Sequence, residues 1–328
     1  MKLNQDCTII IVTHERHNLL INNIDYYFKF SNNIIILDSS KKKINVNKKI
    51  KYFHLPGQSL IKKIIYGLGK CKSDYVAISS DDDFYLTRSL NKGISFLKSN
   101  VDYISASGSF FSFELFKKFF FFKKMYNNSY KSFDHKTVSK RLKDATISHQ
   151  QLFYSVFKKK ILLRSFYSFK SFKNSLDYHE HVATLIPLLF GKHKNLNLTW
   201  MIRDGSVHKS FLTQNDKEDN LRTFEDKYLL YSKSYLAFTK NIDDINFKYN
   251  IFEKTKTLRI LIKDYFKSRM VSNDKKLNIF DELKVYLRFL KYFKYLIFQI
   301  HKYNNFSKQD IIDIKNIEKK ILNRKFTT

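Results

Sequence analysis

The sequence predicts an α/β protein built on a parallel, doubly wound sheet and followed by an all-helical C-terminal region. Three observations predict it. Short β-branched runs alternate with segments of helical apolar spacing over roughly the first hundred residues. Polar residues gather where those runs stop, at the edge where sheets of this kind bind ligands. From about Phe211 onward the pattern is helical, with no glycine or proline. The expected division is a sheet-based domain over 1–210 and a helical region over 211–328.

The elements follow in order. Thr8 to Thr13 (TIIIVT) reads as a central strand buried on both faces. Leu19, Leu20, Ile24, Tyr27 and Phe28 then mark a helix. Asn33 to Leu37 (NIIIL) is a second buried strand, ending at Asp38-Ser39-Ser40. A lysine-rich loop leads to a third strand, Lys51 to Leu55, and Pro56-Gly57 is a turn. Leu60, Ile61, Ile64, Ile65 and Leu68 mark a second helix. Tyr75 to Ser79 is a buried strand that runs almost straight into Asp81, Asp82 and Asp83. A helix over about Thr87 to Lys98 and a strand over Val101 to Ser107 complete the regular alternation.

Beyond residue 110 the pattern changes. Phe110 to Tyr130 is dense in phenylalanine and lysine and reads as a strand or hairpin on the sheet, or as an aromatic and basic surface for an acceptor. Gln151 to Phe157 reads as a strand with a helix after it. Leu176 to His181 opens a helix that Pro187 should kink or end early, with Gly191 as its stop. Leu196 to Ile202 is a strand ending at Arg203-Asp204. Leu283 to Tyr303 is the clearest late helix; its narrow basic stripe suits packing among helices or contact with a membrane surface.

The totals bound the function. The chain has 328 residues, 43% of them hydrophobic, which is ample for a core. Its 2 cysteines, Cys7 and Cys71, match no metal spacing, and a reduced cytoplasmic compartment is the simplest expectation. Charged residues interrupt every apolar stretch before it reaches the roughly 18 residues a spanning helix needs. The net charge of +30 comes mostly from lysines spread along the whole chain, in company with Asn, Ile, Phe and Tyr. These residues share AT-rich codons, so the charge says little about nucleic acid. It says more about attraction to phosphates and acidic headgroups.

Three carboxylates at the end of a buried strand repel one another and are costly to desolvate. Taken alone, Asp81 to Asp83 read equally well as a solvated acidic cap on the next helix or as oxygen ligands for a divalent cation that holds phosphate. Thr13 and Asp38, delivered to the same edge by two other strands, favour the cation. No glycine-rich phosphate loop follows the first strand, which argues against a dinucleotide fold.

Thr8 to Arg16 (TIIIVTHER), Ile34 to Ser39 (IIILDS), Tyr75 to Phe84 (YVAISSDDDF) and, more weakly, Asp177 to Leu185 together resemble the GT-A type nucleotide-sugar glycosyltransferases. The closest resemblance is to the bacterial family-2-like enzymes that build surface polysaccharides, and it covers about residues 7 to 205. It implies a GT-A fold: a Rossmann-like, mostly parallel sheet flanked by helices. It also implies that Thr13 and Arg16 lie against the nucleotide and that Asp38 bonds the base or ribose. Asp81 and Asp82 would serve the ribose, and Asp83, with Asp81, would hold Mg²⁺ or Mn²⁺ on the diphosphate. Glu15 departs from the pattern, since Asn is common there. The general base for the acceptor hydroxyl would be Glu180, with Asp177 as the other candidate. Glu180 also reads as an ordinary first-turn acid.

The implied reaction moves a sugar from a nucleotide-diphosphate donor to a surface-glycan or lipid-linked acceptor, with inversion. It would take place in the cytoplasm or at the inner face of the cytoplasmic membrane, in contact with anionic lipid and without nucleic acid as partner. Two other classes remain: a nucleotidyltransferase, which usually carries the missing glycine loop, and a basic nucleic-acid binder, which gives no reason for three aspartates at a strand end. His179 and His181, two apart, would face away from each other on a helix and share a face only on extended chain. With no third ligand evident, zinc is not expected there. His149 and His208 are further candidates to line the cleft, and Arg203 reads as a phosphate ligand or a surface charge.

Overall fold

A computed structural model describes residues 2–31, 33–116, 119–125, 130–148, 150, 152–169, 178–204, 224–251 and 306–322. In chain order these form β1 (Cys7–Thr13), α1 (His17–Tyr27), β2 (Ile34–Asp38), β3 (Lys51–His54), α2 (Leu60–Lys70), β4 (Tyr75–Ser80), β5 (Asp83–Tyr85) and α3 (Thr87–Ser99). They continue with β6 (Tyr103–Phe116), β7 (Phe119–Lys124), α4 (Val138–Ser148), β8 (Val156–Lys158), α5 (Lys159–Tyr167) and α6 (Tyr178–Phe190). Last come β9 (Lys192–Asp204), α7 (Phe224–Tyr249) and α8 (Lys308–Leu322). The stretch 283–303 lies outside the described residues.

The protein is α/β, with a mixed sheet flanked by helices. Its strand order is β3-β2-β1-β4-β8-β6-β9-β5, with β7 paired to β6. One half, β3-β2-β1-β4, is wholly parallel. Its strands are the β-branched runs of the sequence, and β1 and β2 are buried almost throughout. The register aligns Thr13 with Asp38 and Asp38 with His54, so three strands end together at one edge. The steps from β1 to β2 and from β3 to β4 run in opposite directions. Right-handed crossovers therefore put α1 and α2 on opposite faces.

The other half mixes directions. The long β6 runs parallel to β9 on one side. On its other side it takes β8 along Ser105–Ala106 and the hairpin partner β7 along Phe111–Phe116, both antiparallel. The aromatic stretch after Phe110 is thus a hairpin in its backbone. Gly108 sits where β6 and β9 shift register, and a Cβ there would lie 2.3 Å from the Leu198 carbonyl oxygen.

Two expectations need correction, and a third holds by another route. The strand expected over 151–157 is only Val156–Lys158, because the chain turns just before it with Ser155 N–H bonded to Leu152 O at 2.9 Å. That turn buries Phe153 and Tyr154. Pro187 does not end α6, which runs on to Phe190. Burial on all sides holds it, and Arg141 Nε donates to Leu188 O at 3.1 Å. Gly191 is the stop, as expected, but for close approach and not a left-handed turn: a Cβ there would stand 2.5 Å from Ile104 Cγ2 and 2.8 Å from Asp102 O.

The three-residue β5 is absent from the sequence reading. It survives because both of its edges are satisfied. On one side it pairs antiparallel with β9, Asp83 opposite Arg203. On the other, α1 supplies side-chain partners for its backbone. Asn23 Nδ2 donates to Asp83 O at 2.6 Å, Tyr26 OH donates to Tyr85 O at 2.8 Å, and Tyr27 OH accepts from Tyr85 N–H at 2.9 Å. The late helix α8 packs against α1 and α3. Its Asp313 accepts from Thr87 N–H at 3.3 Å, capping α3 from more than two hundred residues away.

Candidate active site

The carboxyl ends of β1, β2 and β4, with the start of β5, bring the predicted acids to one edge. Asp81, Asp82 and Asp83 are 2%, 8% and 1% exposed, which overturns the reading of a solvated helix cap. Asp81 accepts from Thr13 Oγ1 at 2.6 Å. Arg16 Nη2 lies 2.5 Å from Asp81 Oδ1 and 2.6 Å from Asp82 Oδ2, so one guanidinium bridges the two carboxylates. Asp83 Oδ1 accepts from Arg203 Nε at 3.1 Å. Arg203 is buried and stacks over the Tyr154 ring at 4.6 Å, so it is a partner of the acid trio and no surface charge. Tyr154 OH in turn lies 3.1 Å from Ser80 Oγ and 3.2 Å from Arg203 Nη2.

Three carboxylates meet two guanidiniums here, and the acids show it. Burial pushes Asp81 up to about 7, helped by repulsion from Asp82 and opposed by Arg16 and the Thr13 hydroxyl. Burial also pushes Asp83 up to about 6, against the pull of Arg203. Asp83 Oδ2 is buried and has no hydrogen-bond partner among the described residues. A carboxylate oxygen in that state is costly unless a cation or donor meets it.

Asp38 is held differently. Its Oδ2 takes Tyr52 OH at 2.6 Å and His17 Nε2 at 2.9 Å, and its Oδ1 takes Ser40 N–H at 2.8 Å. Burial raises it, but hydrogen bonds from Ser40, Tyr52 and His17 outweigh burial and hold it below the usual carboxylate range. Lys63, on α2, reaches under this edge and donates to Thr13 O and to Ser39 Oγ, each at 2.8 Å. Burial lowers it to about 8. The β1–α1 turn closes on the β2 end as well: Glu15 N–H donates to Ser40 Oγ at 2.7 Å and Lys41 N–H to Glu15 Oε1 at 2.6 Å. Glu15 has φ +53°, a left-handed position that Asn tolerates better than Glu.

Glu180 lies half-buried in the first turn of α6, and its charge acts on Tyr154, the residue over which Arg203 stacks. Asp177, His149, His208 and the His179 side chain lie outside what the structure describes; His181 is buried. Sequence reasoning missed His17, Tyr52, Lys63 and Tyr154. His17 follows Arg16 directly and offered a signal. Tyr52 and Lys63 were concealed in an ordinary strand and helix. Among the described residues no group of three or more His, Cys, Asp and Glu is arranged to hold a metal ion. A cavity of about 250 Å³ lined by Gln5, Asp6, Lys72 and Asp74 opens at the opposite, amino-terminal edge of the parallel strands, away from these acids.

No family profile and no curated protein sequence matches this chain. Two solved structures similar to it are crystal structures of S. aureus TarS and of its 1–349 form. Each has a TM-score of 0.47 and 10% identity. The matches cover 84% of this chain and 46% of the first, and 86% of this chain and 77% of the second. The chain thus spans less than half the length of the first of these proteins. A likeness at this level identifies neither activity nor substrate.

Proposed function

We propose that this chain is a metal-assisted, inverting glycosyltransferase of the GT-A type. It would transfer a sugar from a nucleotide-diphosphate donor to the hydroxyl of a surface-glycan or lipid-linked acceptor, in the cytoplasm or at the inner face of its membrane. The observation that carries the reading is the buried trio Asp81, Asp82 and Asp83, gathered with Thr13, Arg16 and Asp38 at one sheet edge. The division into a catalytic region over 1–210 and a helical region over 211–328 belongs to the same proposal.

The residues fit a hard divalent cation. The donor set is all oxygen, the trio when fully ionised carries one more negative charge than its two arginines neutralise, and Asp83 Oδ2 is a buried acceptor without a partner among the described residues. Mg²⁺ commonly binds through one or two carboxylates plus substrate phosphates, so three protein ligands need not converge. Asp83, with Asp81, would hold Mg²⁺ or Mn²⁺. When bound, the ion supplies Lewis-acid neutralisation of the departing diphosphate.

The chain's own residues do the rest. Arg16 and Thr13 set the carboxylates, and Arg16 brings positive charge to the phosphate side. Asp82 and Asp81 face the ribose. Asp38, clamped by its three donors, fixes the end of β2 where the nucleoside lies. Glu180 accepts the proton of the acceptor hydroxyl as that oxygen bonds to the anomeric carbon. The bond from that carbon to the phosphate oxygen breaks, and the electron pair leaves with the diphosphate through an oxocarbenium-like transition state.

The test is calorimetric binding and hydrolysis of a panel of nucleotide sugars, with and without Mn²⁺. One donor should bind more tightly with metal, and Asp83→Asn should lose that gain. Equal, weak binding of every donor by wild type and variant with metal present would sink the reading. Glu180→Gln should keep donor binding and lose transfer; unchanged transfer removes Glu180 as the base.

A further inference from the structure

The loop between β2 and β3, with the first residue of β3, carries six lysines, Lys41, Lys42, Lys43, Lys48, Lys49 and Lys51, and no acidic residue. All six are exposed. Lysine is common throughout this chain, so number alone decides nothing. Clustering with no acid among them does, and pairing does not: Lys98, Lys192, Lys194 and Lys320 each meet an aspartate, while Lys29, Lys62, Lys72 and Lys92 show no ion pair among the described residues. None of the six has an ion-pair partner among the described residues.

The loop is also built, and built onto the candidate active site. Its start is bonded to Glu15 through the Lys41 amide, one residue from Arg16. Its middle is bonded to Tyr52 OH through the Ile44 amide at 3.4 Å, and the same hydroxyl donates to Asp38. Its end turns on Asn47, which takes the Lys49 and Ile50 amides. Ile44, Val46 and Ile50 point inward onto the core, which leaves only lysine and asparagine facing out.

We propose that this loop is a docking surface for an anionic acceptor glycan, one bearing phosphate or carboxylate groups, which it feeds to the adjoining cleft. The proposal rests on the glycosyltransferase reading for the word acceptor and on the loop itself for the word anionic. The outward face selects among polyanions. A bilayer-binding segment presents apolar side chains outward, and here they are turned in. A single-stranded nucleic-acid groove interleaves aromatic platforms, and the outward face has none.

The probe is long-chain inorganic polyphosphate, titrated into the full-length protein over a range of salt concentrations, with neutral dextran as control. Wild type should bind polyphosphate with an affinity that falls steeply with salt. Replacement of Lys41, Lys42 and Lys43 by Glu should weaken binding about tenfold or more at low salt and flatten the salt slope. The same three sites changed to Gln should give an intermediate loss. Donor binding should be unchanged in both variants, which also reports that they fold. Polyphosphate binding at wild-type strength in the Glu variant overturns the proposal. So does stronger binding to phosphatidylglycerol vesicles or to oligothymidylate than to polyphosphate. Failure of wild type to bind any nucleotide sugar would instead count against the glycosyltransferase reading, leaving the polyphosphate result to stand by itself.

Discussion

On the parallel side of the sheet, Asp38 ends a strand whose neighbours supply donors that need carry no charge: a tyrosine hydroxyl, a serine amide and an imidazole. On the mixed side, Asp83 begins a three-residue strand and is held by a buried guanidinium directly across the ladder. Both acids are buried, yet Asp38 is pulled below the ordinary carboxylate range and Asp83 is pushed to about 6. Two differences act together: Asp83 is the more deeply enclosed and is repelled by Asp82, while Asp38 has more hydrogen-bond donors to offset its burial. Asp38 is saturated and self-sufficient. Asp83, with an oxygen to spare, is held in place yet short of partners, a condition suited to binding something.

The contrast can be broken from the mixed side first. Arg203→Met leaves Asp83 buried without its cation and should cost about 3–5 kcal/mol in urea unfolding. Adding Asp83→Asn in the same chain should recover much of that loss, and absence of coupling would disprove the pair. Gly108→Ala should cost about 3 kcal/mol, because the atom its Cβ would meet is a backbone oxygen at 2.3 Å and cannot swing away. A cost below about 1 kcal/mol would mean that β6 and β9 adjust more easily than their register implies.

Asp81 sharpens the contrast through pH. Its pKa in the fold, about 7, lies above the ordinary value of 3.8. Its stabilising share is therefore full below about pH 4 and lost as pH rises through about 7. With divalent cations chelated, Asp81→Asn should be more stable than wild type by about 2 kcal/mol at pH 8 and equal to it near pH 4. A variant less stable at pH 8 would show that Arg16 repays more than burial costs. The smallest effect belongs to the parallel side. Gly69, in α2, has open space where a Cβ would go, and Gly69→Ala should raise stability by about 0.5–1 kcal/mol in thermal melts.

The same divide governs what could be read from the sequence. Buried parallel strands are long β-branched runs, so β1, β2 and β4 and the acids at their ends were legible within a residue or two. β5 was not, since three residues beginning with aspartate carry no periodic signal. Its existence depends on Asn23, Tyr26 and Tyr27 from another element. Arg203 was visible as a residue, but its choice between phosphate and surface was not; only the antiparallel register puts it opposite Asp83. Lys63 reads as one more lysine on a lysine-rich helix until the fold shows where its ammonium goes. Local pattern reports strands and strand ends. It does not report which distant side chain satisfies a short edge.

The cap that α8 places on α3 has a consequence for synthesis. Arg88 and Asp310, which pair across this contact, are separated by 222 residues. At ribosomal rates of about 5–20 residues per second, the start of α3 waits roughly 10–45 s for its partner. For that interval Tyr26, Thr87 and the face of α1 that α8 covers are open to solvent and to other nascent chains. The sheet can assemble early, but the helix that finishes it is made late, and a chaperone that shields this face has that interval in which to act.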